Sequence, residues 1–192
     1  SASGLNLTCD VPGGLVSLFP EGGGDLSPRP HPQSRAATDQ TPETIGSLAI
    51  ESQFSVALGR SERDLSPSGI TIHNTAGGTL AVALKALANR ALSYHFIIDK
   101  DGTIHQLVKT NLVAIHDPVT NPTNIGISFV NLGHQSQFAG RWGSPELSEW
   151  VEGIQSGKSA TWEPYPSAQI AAGESLVTEL KSMYPTITTL VS

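Results

Sequence analysis

The sequence predicts an α/β fold: a central mixed β-sheet flanked by helices and preceded by a Pro/Gly-rich arm. Three observations carry this expectation. Short β-branched runs such as Ile70–His73 and Ile125–Asn131 have the length and periodicity of strands. Two stretches, near residues 80–92 and 167–184, space their apolar side chains as helices do. The nineteen Gly and thirteen Pro are unevenly placed, and strands alternating with helices on this scale imply layers around a sheet.

Residues 1–66 read as an extended arm or linker. Pro12-Gly13-Gly14, Gly22-Gly23-Gly24 and Pro28-Arg29-Pro30-His31-Pro32 interrupt any helical period. Leu15–Phe19 is a short strand candidate and Ile45–Leu58 is weakly helical or extended, but such a segment buries little apolar surface by itself.

A domain over residues 67–192 follows. Ile70–His73 is its first strand, with Thr71 and His73 on one face and Ile70 and Ile72 on the other. Thr79 is placed to cap a helix to about Leu92, with Leu80, Leu84, Leu87 and Ala91 inward. Tyr94–Asp99 and Thr103–Val108 form a hairpin around Lys100-Asp101-Gly102, where Gly102 supplies positive φ. Strict alternation sets Tyr94, Phe96 and Ile98 against His95, Ile97 and Asp99, so Tyr94 and His95 should not both point into one site and at least one of them is structural. Residues 111–124 form a loop carrying His116. Ile125–Asn131 is a buried strand whose only weakly polar positions are Gly126 and Ser128. A polar, Gly-rich excursion from Gly133 to Glu163 suggests a surface lobe. Pro166-Ser167 opens a second helix through Tyr184, with Ile170, Val177 and Leu180 inward, and Pro185 ends it.

Composition excludes several classes. A formal charge of −6 with eleven Lys and Arg, and no basic run, argues against nucleic acid as a partner. No apolar run approaches the roughly eighteen residues of a membrane span. Cys9 is the one cysteine, which rules out an internal disulfide framework and a Cys-rich zinc site. The chain opens at Ser1 with no signal peptide visible.

Among the six histidines, His73 stands where a strand ends and Asn74-Thr75-Ala76-Gly77-Gly78 leads into a helix. A histidine there can bind a metal, and it can equally be structural. His31 reads as solvated, His105 as a half-exposed strand residue and His134 as a loop residue. Gly77-Gly78 lacks the Lys and the spacing of a phosphate loop, and no Gly-x-Ser-x-Gly elbow occurs. Asp99 and Asp101 are accounted for by the hairpin turn. From the residues alone the reading stops at an α/β domain with a candidate zinc position at His73.

The ordered motifs go further, because they resemble the zinc-dependent N-acetylmuramoyl-L-alanine amidase superfamily, which includes amidase-type phage lysozymes and peptidoglycan recognition proteins. The resemblance covers about Ile70 to Ser192. It rests on Ile72-His73-Asn74-Thr75-Ala76-Gly77, on Ser93-Tyr94-His95-Phe96-Ile97-Ile98-Asp99-Lys100-Asp101-Gly102-Thr103-Ile104, and on Ala114-Ile115-His116. It continues through Asn124-Ile125-Gly126-Ile127-Ser128-Phe129-Val130-Asn131 and through Glu163-Pro164-Tyr165-Pro166 with Ala168-Gln169. Five modest pieces in order and at the right spacing make it specific; the arm lies outside it.

The resemblance implies bacterial peptidoglycan as partner, and hydrolysis of the amide between N-acetylmuramic acid and L-alanine by zinc-activated water. It implies an extracellular, periplasmic or virion-associated setting. His73 becomes the first zinc ligand, Tyr94 the catalytic residue beside the metal, and His116, Asn74 and Thr75 the substrate contacts. One branch of the superfamily places a general-base glutamate where Ser128 stands, which favours a mechanism centred on Tyr94. The family's second zinc histidine lies in a short strand after the last helix, with a Cys or Asp ligand following. Ile187–Ser192 resembles that strand, so the domain is expected to lack its C-terminal metal-ligand segment, with the remaining ligands beyond Ser192. The alternatives are a non-catalytic peptidoglycan-binding module, or a structural component of a phage tail, baseplate or cell-puncturing assembly attached through residues 1–66.

Overall fold

The computed structural model describes residues 41–54, 60–63, 66–134, 151–155 and 158–192. In chain order the elements are β1 (Ile50–Ser52), β2 (Arg60–Glu62), β3 (Gly69–Asn74), α1 (Leu80–Arg90), β4 (Phe96–Ile98), β5 (Ile104–Gln106), β6 (Leu112–Ala114), β7 (Asn124–Phe129), β8 (Val151–Gln155), β9 (Lys158–Trp162), α2 (Ser167–Met183) and β10 (Thr189–Val191). Six strands make one sheet in the order β1-β5-β4-β7-β3-β10. Only β4 and β5 run antiparallel; the other neighbours are parallel, so the sheet is mixed as expected. Two short antiparallel pairs, β2 with β6 and β8 with β9, stand apart from it.

The central strand β7 shows how sequence parity sorts the two faces. Ile125, Ile127 and Phe129 join Ile70, Phe96, Ile98, Leu176 and Leu180 in an apolar core beneath α2. The opposite parity carries Asn124, Gly126 and Ser128, with Thr71 and His73 level with Gly126 and Ser128 on the neighbouring strand. Beyond them on this face, Ile97, Leu107, Ala114 and Val130 pack with Ala83 and Leu87 of α1. Small residues on β7 therefore leave a floor that α1 does not fill.

Both helices start and stop by local chemistry. Thr79 accepts a hydrogen bond from the Val82 amide at 3.3 Å, satisfying one of the free N–H groups of the first turn. Ala91 ends α1 in the left-handed region at φ 51° and is exposed, so it is a cap and not the inward residue expected; Ala83 takes the inward place with Leu87. On α2 the fully inward residues are Gln169, Gly173, Leu176 and Leu180, while Ile170 and Val177 are half-buried. Gly173 is needed for close approach, since a Cβ there would stand 2.5 Å from Phe129 Cζ. Gln169 Nε2 donates to Ile98 O at 2.8 Å and Val130 O at 3.0 Å, tying the helix to the ends of β4 and β7.

Packing begins well before the boundary expected at residues 66/67. Ile45 is completely buried in the α2-side core, and β1 closes one edge of the sheet by pairing with β5. Glu43 accepts from Thr110 N at 2.7 Å and Thr110 Oγ1 at 2.9 Å, and also bonds Gln106. The same strand buries His105, expected to be half-exposed, because Glu51 pairs with it in register and covers the edge. Ile45, Leu48 and Ile50 are too few and too mixed in spacing to set a clear period, which is why the sequence reads this segment as part of an arm, weakly helical or extended. The Leu15–Phe19 strand candidate, His31 and Cys9 lie outside the described residues. No helix among the described residues is long and apolar enough to cross a membrane.

Candidate active site

His73 lies near the C-terminal end of β3, on the face whose floor is Gly126 and Ser128. The loop after β6 folds His116 over that floor. Its imidazole lies flat against Gly126: a Cβ at that position would be 2.5 Å from His116 Cδ2. Glycine is required here by space, not by backbone angle. His116 Nδ1 is 3.1 Å from His73 Nε2, so the two rings share one hydrogen. Among the described residues no group meets buried His116 Nε2 in full hydrogen-bond geometry, although the Asn124 backbone lies close enough to act on the ring.

Tyr94 joins this pair. Its ring centroid is 5.1 Å from that of His73 and 6.2 Å from that of His116. Burial raises the Tyr94 pKa, with the nearby Ser128 hydroxyl opposing from outside full hydrogen-bond geometry. The phenol is thus a proton-bearing donor at neutral pH. Burial also pushes His73 down to about 4, helped by His116 beside it and resisted by Asp117. His116 falls to about 4, again mainly through burial. Both imidazoles are neutral at pH 7, the form in which imidazole ligates a metal.

Strict alternation fails at Tyr94 and His95. The backbone bends at His95 before β4 begins, so both side chains reach the neighbourhood of His116, with the His95 centroid 6.1 Å away. Their roles differ. His95 Nδ1 accepts the Gly126 amide at 2.9 Å, which places its hydrogen on Nε2, facing Leu112 O at 2.9 Å. Both nitrogens are used, and burial holds the pKa at about 3. His95 is a structural pillar beside the floor, bonded to it through the Gly126 amide.

Asn74 and Thr75 shape the turn after His73. Asn74 Oδ1 accepts the Ala76 amide at 3.0 Å, the local bond that lets Asn lead a turn. Thr75 Oγ1 donates to Gly77 O at 2.9 Å and accepts the Asn131 amide at 3.2 Å, joining the exits of β3 and β7. The His116 loop is tied to β3 by a directional chain: Asn124 Nδ2 donates to Thr71 Oγ1 at 2.9 Å, Thr71 to Thr120 at 3.0 Å, and Thr120 to Asp117 Oδ2 at 2.6 Å. Asn121 Oδ1 accepts from both His116 N at 2.8 Å and Asp117 N at 2.7 Å.

Sequence reasoning missed three contributors. Gly126 was visible as the small member of a large–small alternation. Glu163 accepts from Lys100 Nζ at 2.5 Å and from Leu132 N at 2.6 Å, bracing the rim from 63 residues away. Arg63 reaches the His116 loop from outside the sheet. Glu163 opens the Glu163–Pro166 motif without its bracing role being readable from it, and Arg63 has no local signal.

Two imidazole nitrogens 3.1 Å apart can meet one ion, but structural and catalytic zinc sites take at least three protein ligands. Among the described residues no three His, Cys, Asp or Glu side chains are grouped to hold a metal. The described donors therefore fit zinc only in part.

Comparison with known proteins gives the family. Residues 63–190 match the family model described as N-acetylmuramoyl-L-alanine amidase. Among solved structures, the chain is similar to the endolysin N-acetylmuramoyl-L-alanine amidase LysCS from Clostridium intestinale URNW, at 24% identity and TM-score 0.50, over 77% of this chain and 82% of that one. It is similar to the amidase LysC from the same organism at 22% identity and TM-score 0.50, over 75% and 81% of the two chains. A weaker likeness, at 21% identity and TM-score 0.46 over 65% and 48%, is to AmiD from E. coli, solved with anhydro-N-acetylmuramic acid-L-Ala-D-gamma-Glu-L-Lys. No curated protein matches the sequence. The two likenesses at TM-score 0.50 bear on the fold alone, which agrees with the sheet and helices described above. Because the matched span runs from Arg63 into β10 and takes in both helices and every site residue named here, the chain belongs to the N-acetylmuramoyl-L-alanine amidase family.

Proposed function

We propose that the chain acts on bacterial peptidoglycan by hydrolysing the amide between the lactyl group of N-acetylmuramic acid and L-alanine, with His73, Tyr94 and His116 forming the reaction centre. The observation that carries this reading is their convergence on the Gly126–Ser128 floor, from three separate segments, within ring-centroid distances of 5.1 to 6.2 Å. Tyr94, protonated through its raised pKa, is suited to donate a hydrogen bond to the oxyanion that develops on the scissile carbonyl. His116 is assigned to the substrate through its Nδ1 edge, which faces His73 at 3.1 Å, because its Nε2 is buried against the floor. Asn74 and Thr75 present the turn backbone to the substrate, their side chains being engaged in holding it.

The finer reading assigns His73 to zinc, which when bound lowers the pKa of a water and so supplies hydroxide near neutral pH. Its support is geometric. β10 runs parallel to β3 with Val191 opposite Thr71, so chain continuing this strand in register passes His73 on the same face. A donor there, with one more following, would complete the ligand set. The test measures zinc content and release of L-alanine amino termini from peptidoglycan for protein extended past Ser192, with and without His73→Ala. One zinc per chain, lost together with activity in the variant, is the expected result; full activity without His73 would sink the reading.

A second reading, a peptidoglycan-binding module without turnover, is favoured by one observation: the described residues hold no three-ligand metal group. Muropeptide binding with no release of amino termini from the extended protein would select it.

A further inference from the structure

The loop that carries His116 is bracketed at both ends by a single side chain. Arg63 Nε donates to Thr110 O at 3.1 Å and Leu112 O at 3.3 Å. Its Nη1 donates to Pro122 O at 2.9 Å, and its Nη2 to Asn124 O at 3.1 Å. Thr110 and Leu112 precede His116; Pro122 and Asn124 follow it. One planar group thus fixes the entry and the exit of the loop. Nη2 also lies 3.1 Å from His95 Nε2, but that nitrogen bears the hydrogen aimed at Leu112 O, so this is contact without a hydrogen bond. Burial pulls the guanidinium below its usual pKa, a cost that the surrounding carbonyl dipoles offset. Lysine could not replace this fork, because its single ammonium cannot meet acceptors so spread around a plane.

We infer that Arg63 is a positioning residue for His116: it holds the loop in the register that lays the imidazole on Gly126 beside His73, and it acts through the loop without touching substrate. The inference rests on the reading of His116 as a substrate contact. The alternative is a purely structural arginine whose loss loosens the whole domain. The two differ in what happens once His116 is gone.

The test is a double-mutant cycle on the full chain, read as the Kd for N-acetylmuramoyl-L-alanyl-D-isoglutamine, with thermal melting confirming that each variant is folded. Expected are a loss of affinity of about tenfold for His116→Ala, about fivefold for Arg63→Lys, and no further loss when the two are combined. Wild-type affinity in Arg63→Lys, or an undiminished fivefold loss from it in the His116→Ala background, overturns the inference. Wild-type affinity in His116→Ala would instead overturn the reading of the site. The bracket is then decided by amide hydrogen exchange. The His116 and Asp117 amides should exchange faster in Arg63→Lys while β3 stays protected, and uniform or unchanged exchange refutes it. If Arg63→Lys does not fold, Arg63→Gln enters the same cycle, and additivity with His116→Ala again counts against the inference.

Discussion

The two faces of β7 use the same six residues for opposite ends. Beneath, Ile125, Ile127 and Phe129 enter a continuous apolar core with α2. Above, Asn124, Gly126 and Ser128 leave room for imidazoles and hydroxyls to be buried. The lower face gains stability from burial of roughly 25 cal/mol per Å² of apolar surface. The upper face gives up part of that gain to keep polar groups dry and incompletely paired, His116 Nε2 and Ser128 Oγ among them. Stability and chemistry are thus divided by residue parity along one strand.

Acid should show the division most strongly. His73 and His116 are lowered to about 4 and His95 to about 3, each primarily by burial, against an ordinary value of 6.5. Above pH 6.5 these groups are neutral in both folded and unfolded chains. Between 6.5 and about 4 the unfolded chain binds protons that the folded one refuses, so stability falls as pH falls. The slope reaches about 1 kcal/mol per pH unit for each histidine. Chemical denaturation of metal-free protein at stepped pH measures it, and His95→Gln should flatten the curve if the upper face is the acid-sensitive one.

Cutting the lower face comes next. Leu180→Ala, at a fully buried position, should cost about 3 kcal/mol in urea unfolding and leave muropeptide affinity within about twofold. A large affinity change would mean that the faces are coupled. Gly126→Ala should do the reverse in kind. Its methyl must displace the His116 ring, so a stability loss of about 2 kcal/mol should come with loss of muropeptide binding. Binding at wild-type strength would show that His116 has no part in recognition. The smallest effect is expected at Thr79→Ala, which removes the cap of α1: about 1 kcal/mol in melting experiments, with the site unchanged.

What could be read from the sequence follows the range of the forces involved. The parity of β3 and β7, the Thr79 cap and the Gly102 turn are local, and they stand as expected. His73, Tyr94 and His116 were found through ordered motifs, and they do converge. Of Tyr94 and His95, at least one is expected to be structural, and His95 is; their strict separation to opposite faces fails because period-two reasoning assumes a straight strand, whereas the chain bends at His95 to meet Gly126. β1 was lost in the arm because its partner lies some fifty residues on, and its own three residues carry no period. Arg63 and Glu163 act on main-chain atoms across 31 to 61 positions, which leave no trace in composition.

The parallel pairing of β10 with β3 has a consequence for how the chain is made. Thr189 Oγ1 reaches Ser68 O across 121 positions, so the outer side of β3 has no partner strand until the last part of this sequence is synthesised. At about 5–20 residues per second, the strand bearing His73 spends on the order of ten seconds with a row of open amides and carbonyls facing water. Such an edge invites pairing with another nascent chain. Chaperone occupancy on ribosome-bound chains stalled before Thr189 should therefore be high, and should drop once β10 has emerged.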